Sequence, residues 1–107
     1  MQQDFLTLVD NHGWDKNKLL MDRYHSSLYR EFDIGFVMLV PDESYDILIA
    51  TSINHNHSMD MWRCIRTILK NRTRPVVTQY EHNFDKLFKA SQRYGAIAVE
   101  DNIVIFP

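Results

Sequence analysis

A chain of 107 residues is the size of one domain, and its 45% hydrophobic and 24% charged content excludes a disordered or low-complexity polymer. Twelve basic against fourteen acidic residues, a net charge of −2, exclude a general electrostatic drive toward nucleic acid or acidic membranes. A single cysteine excludes an internal disulfide and points to a reducing compartment.

Taken from the N-terminus, residues 4–11 read as a short helix. Phe5, Leu8 and Val9 share a face, and Asn11-His12-Gly13 stops it. Asp15 is an N-cap for a second helix over residues 16–32, with an apolar stripe of Leu20, Met21, Tyr24, Leu28 and Phe32. Residues 34–40 are unbroken apolar, the pattern of a strand buried on both faces and central in a sheet. The same run is far too short to span a bilayer. Pro41-Asp42-Glu43-Ser44 is a turn by composition, and a second strand follows over 45–53. The short polar connection predicts that these two strands pair antiparallel.

The second half reads helix, strand, helix, hairpin. Over 59–72, Met61, Trp62, Ile65, Ile68 and Leu69 form one stripe of a 3.6-residue repeat, with Ser58 as N-cap and Asp60 in the first turn. Thr73-Arg74-Pro75 ends that helix. Residues 76–80 are a β-type run. Asn83 opens a helix over 83–94 with Phe84, Leu87, Phe88 and Ser91 on one face, and Gly95 lies just past its end. Residues 96–99 and 103–106 are apolar arms around the polar turn Glu100-Asp101-Asn102. The expected fold is a single α/β domain, a mixed five-stranded sheet with helices on its faces, in the order α-α-β-β-α-β-α-β-β. Residues 1–33 form its helical part and 34–107 its α/β core, with parallel crossovers through both later helices.

The order over 34–107 resembles the Gcn5-related N-acetyltransferase fold. In that family a strand hairpin leads to a strand, a cofactor-binding helix, a strand, a helix and a final hairpin. The stretch from Asn83-Phe84-Asp85 to Arg93-Tyr94-Gly95-Ala96 is similar to the family's late helix and aromatic-Gly-aromatic turn, with Ala96 where an aromatic is usual. The family's glycine loop, Gln/Arg-x-x-Gly-x-Gly/Ala, brings backbone N–H groups to the coenzyme pyrophosphate. The corresponding residues 53–61 contain no glycine, and Asp60 adds a negative charge there. Small members of this fold occur among internal and accessory proteins of tailed bacteriophages, and the ending with Trp62, Arg63 and Tyr94-Gly95-Ala96 resembles them.

The resemblance implies two functions. The first is a non-catalytic interaction or structural protein on a degenerate acetyltransferase-like fold, such as a phage virion or accessory component, with no cofactor and with a protein partner or a second copy. The alternative is an acetyl-CoA-dependent N-acetyltransferase with a remodelled pyrophosphate loop. The enzyme would bind acetyl-CoA through Ser58, Met59, Asp60, Arg63 and Asn83. Tyr94, or else Tyr80, would serve as acid and Glu81 as base. A third reading uses the basic run Arg63, Arg66, Lys70, Arg72 and Arg74 for nucleic acid, against its plainer role as a solvated helix face.

Two further features carry open alternatives. His55-x-His57 places two imidazoles on one side of a strand, with His82 at the end of the next, so they are weak metal candidates; the other reading is a polar loop. Cys64 reads as packing filler. The polar N-terminus lacks a secretory leader, so the expected location is cytoplasmic, or inside a virion assembled in the host cytoplasm.

Overall fold

A computed structural model describes residues 5–11, 13–33, 35–51 and 59–107. Two short helices lead in, α1 (Phe5–Asn11) and α2 (Lys16–His25), followed by the strands β1 (Leu28–Phe32), β2 (Gly35–Pro41) and β3 (Asp46–Ala50). Then come α3 (Met59–Lys70), β4 (Val76–Gln79), α4 (Phe84–Ser91), β5 (Ile97–Ala98) and β6 (Ile103–Phe106). The sheet has six strands in the order β1-β2-β3-β4-β6-β5. Among the described residues only β3 and β4 are parallel neighbours; every other neighbouring pair is antiparallel.

The helix expected over 16–32 is therefore corrected to a helix and a strand, and the five-stranded sheet to six. The Asp15 carboxylate caps α2 by accepting from the backbone of Asn17 and Lys18 at 2.9 and 3.2 Å. At the other end Ser26 leaves the helical region (φ −63°, ψ 140°), and its hydroxyl donates to the Arg23 carbonyl at 2.7 Å. Ser27 N–H then reaches Leu39 O at 2.8 Å and starts the β1–β2 ladder. The physical reason is tertiary. The apolar β2 would otherwise present an unpaired edge, and the Leu-Tyr-Arg-Glu-Phe run has the residues to cover it. The expected stripe of α2 does not face the core: Leu20, Met21 and Tyr24 are 42%, 55% and 81% exposed, and the helix buries Leu19.

β2 is an interior strand, second of the six, and is covered on both faces as its composition required. Phe36, Val37, Met38 and Val40 are buried. Side-chain alternation divides the core between the faces. On one face α1 and α2 cover Phe36, Met38 and Val40 with Phe5, Val9 and Leu19. On the other, α3 lays its expected stripe of Met61, Ile65, Ile68 and Leu69 over Val37, Leu48, Val76, Val104 and Phe106, and Trp62 is half-buried beside it. After α3, the Arg72 guanidinium donates to the carbonyls of Leu69, Tyr94 and Pro107, tying the last turn of α3 to the stretch after α4 and to the residue after β6.

The second crossover also differs from expectation. β6, not β5, pairs with β4, and β5 lies outside it. Asn83 opens α4 in the left-handed region (φ 54°) without a side-chain cap bond, and Gly95 (φ 81°) closes the 3₁₀ turn that follows. Asp101 and Asn102, both at positive φ, make the final turn where polar residues were expected. No helix among the described residues is long and apolar enough to cross a membrane.

Candidate functional site

β3 and β4 stay together for only two rungs, Asp46↔Val76 and Ile47↔Val77. Beyond them β3 continues along β2 as far as Ala50, and β4 continues along β6 as far as Gln79. Each strand follows its antiparallel partner, so the parallel pair parts. The next rung is replaced by a side chain: the buried Thr78 hydroxyl donates to the Leu48 carbonyl at 2.9 Å. Past that bridge a cleft of about 470 Å³ opens at the C-terminal ends of the two strands, the end where open α/β sheets commonly hold ligands.

Residues 47–51, from β3 and just past it, and 78–83, from the end of β4 onward, form its walls. Trp14, Asp15, Lys18 and Leu19 close it from the α1–α2 side, and Trp62, Ile65, Lys86 and Leu87 from the α3–α4 side. Trp14 packs edge-on to Phe36 with ring centres 6.3 Å apart. Its indole N–H donates to the Glu81 carboxylate at 3.2 Å, joining residues 67 positions apart across the mouth. The Asp15 carboxylate is occupied by the α2 amides.

Tyr80 heads a hydroxyl chain. Its oxygen lies 2.5 Å from Ser91 Oγ, and Ser91 donates to Leu87 O at 2.7 Å. With the serine proton spent on that carbonyl, the phenol donates to Ser91, and its oxygen keeps lone pairs as acceptors. Burial is the largest influence on the Tyr80 phenol and pushes it above its ordinary value. The group stays neutral at physiological pH.

Of the residues singled out from sequence, Trp62, Tyr80, Glu81, His82 and Asn83 line the cleft. Tyr94 does not. Its carbonyl is held by Arg72 together with that of Pro107, at the end of the sheet where β4 begins, and its ring packs on the α3-side core. Met59, Asp60 and Arg63 are exposed in the first turns of α3, where Arg63 pairs with Asp60 at 3.4 Å. Ser58, His55 and His57 lie outside the described residues. Among the described residues no group of three or more His, Cys, Asp or Glu side chains could hold a metal.

The basic run divides. Arg72 and Arg74 are spent on carbonyls, Arg74 on those of Asp42 and Tyr45 with Asp46 Oδ1 3.3 Å from its Nε. Arg63, Arg66 and Lys70 remain exposed on α3. Cys64 is half-buried, and burial raises its thiol pKa against a smaller lowering by Arg30, which favours the protonated form over the nucleophilic thiolate. Sequence reasoning missed Trp14, Lys18 and Leu19 as cleft residues. The signal available was a large aromatic, Trp14, set in a short polar connection between two helices.

The chain matches no family model, no curated protein and no solved structure.

Proposed function

We propose that this chain is a small acyl-coenzyme A-dependent N-acyltransferase of the Gcn5-related type, with the pantetheine arm of the thioester lying between β3 and β4. The early parting of those two strands is the observation that carries the reading. Beyond Leu48 and Thr78 the facing edges have no ladder between them, and in the resembling family the pantetheine pairs with the equivalent edges. The strand order supports the same reading. With β1 included, a hairpin leads to a strand, a helix, a strand, a helix and a final hairpin, the order of that family.

Glu81 is the base in this reading. Its carboxylate stands at the mouth, oriented by Trp14, where it can take the amine proton directly or through one water. The departing thiolate takes its proton from solvent or from Tyr80, whose hydroxyl lies in the cleft wall. Tyr94 has no part, since it stands at the other end of β4. Calorimetric titration with acetyl-CoA tests the proposal. Saturable binding with a Kd of roughly micromolar order is expected. Absence of both heat and thermal stabilisation at millimolar ligand would sink it.

A second reading, a non-catalytic component of a phage particle, is favoured by one specific pair of observations. Residues 53–61 lack the glycines that would cradle a pyrophosphate, and Leu20, Met21 and Tyr24 stand exposed on α2. Failure of the titration would leave that reading in place.

A further inference from the structure

The cleft is lined from both faces of the sheet. Successive residues of a strand point to opposite faces. Ile47 and Ile49 pack with the α1–α2 core, Leu48 with the α3 core, and all three line the same cavity. So do Leu19 from one side and Trp62 from the other. A cavity walled in this way, sited where the ladder stops, is bordered by residues of both faces of the sheet. Its α1–α2 half is mostly apolar: Trp14, Leu19, Ile47 and Ile49 line it, the nearby carboxylates of Asp15 and Glu81 already accept hydrogen bonds, and the ammonium of Lys18, which also lines it, pairs with Asp22 at 2.8 Å. An acetyl group offers one methyl to that wall. Water has few partners there, and apolar surface left against water is unfavourable.

We infer that the preferred donor is an acyl thioester with an unbranched chain of about four to eight carbons, whose tail crosses the sheet and lies between Trp14, Leu19, Ile47 and Ile49. The inference rests on the acyl-coenzyme A reading above. With the coenzyme at α3, the position of the cofactor-binding helix in the resembling family, the acyl group extends toward α1 and α2. Nothing in that reading requires more than an acetyl group, so chain length is a separate property of the same cleft.

Titration of the full chain with free coenzyme A and its acetyl, butyryl, hexanoyl and octanoyl thioesters tests it. Full burial strengthens binding about fourfold for each methylene, and even partial burial separates hexanoyl from acetyl by at least about tenfold. Ile49→Trp, which fills the α1–α2 half, is expected to abolish this dependence; Leu19→Phe serves if the first variant loses its circular dichroism signature. Saturable acetyl-CoA binding with no gain from longer chains overturns the inference and leaves the acyl-CoA reading standing. Failure of every thioester removes both. A length dependence that survives in the folded filled variants belongs to non-specific apolar association and also overturns it.

Discussion

Gly35 opens β2 at a place with no room for a side chain. A Cβ there would lie 1.8 Å from Thr51 Oγ1 and 3.1 Å from Thr51 Cβ. Thr51 is 2% exposed, and its hydroxyl accepts from Phe36 N–H at 3.1 Å, while its own N–H reaches Phe36 O at 3.2 Å. Close approach, not a positive φ, is what demands glycine. Gly35→Ala should push Thr51 off its hydrogen bond and destabilise the fold by about 1–3 kcal/mol. A urea midpoint equal to that of the parent chain would contradict this account. The position was hidden in the sequence, because Gly35 sits inside an apolar run and the residue it meets is sixteen positions away. Arg23 was hidden for a related reason. Its guanidinium lies over the rings of Tyr29 and Phe5, at 4.4 and 5.1 Å, and so covers a core edge that a charge seen in sequence would not announce.

The elements show where periodicity decides and where it does not. α3 was legible because its stripe is long and contradicted by nothing nearby: four of its five expected core residues are buried. Residues 28–32 were not, because Leu28 and Phe32 satisfy both a helical i, i+4 spacing and one face of a strand. Pairing with β2 settles the choice, and that pairing is not a local property. The end of β4 is tied to α4 by the Tyr80–Ser91 hydroxyl pair, and this contact has a pH signature. Tyr80's pKa in the fold is raised above its ordinary 10.0, so the fold holds its proton more tightly than the unfolded chain does. The associated stability is fully present below about pH 10 and is lost as pH rises through the folded value. Tyr29, raised by burial and its bond to Glu31, acts with the same sign. Denaturant titrations at pH 8 to 11 should therefore show stability falling above pH 10, less steeply in Tyr80→Phe. Equal slopes for the two chains would argue against a buried phenol at this position.

For the whole molecule, the α/β class, an interior β2 buried on both faces and the neighbouring antiparallel β2–β3 pair could be read from composition and pattern, though β2 stands second of six strands and not at the centre. The cleft could be read only in part. Glu81, His82 and Asn83 were reachable because they follow a predicted strand, and strand ends are where such sheets place ligands. Its other walls depend on where two strands part, which follows from each having a stronger commitment to its antiparallel neighbour. No single stretch of sequence encodes that divergence. The chain has two tryptophans, and both line this one cleft, on opposite faces of the sheet. All of the protein's indole emission therefore originates beside the cavity. Any molecule that enters it changes the polarity around both fluorophores at once, and intrinsic fluorescence becomes a label-free gauge of occupancy. A ligand that docks on the exposed faces of α2 or α3 instead should leave the emission maximum where it was.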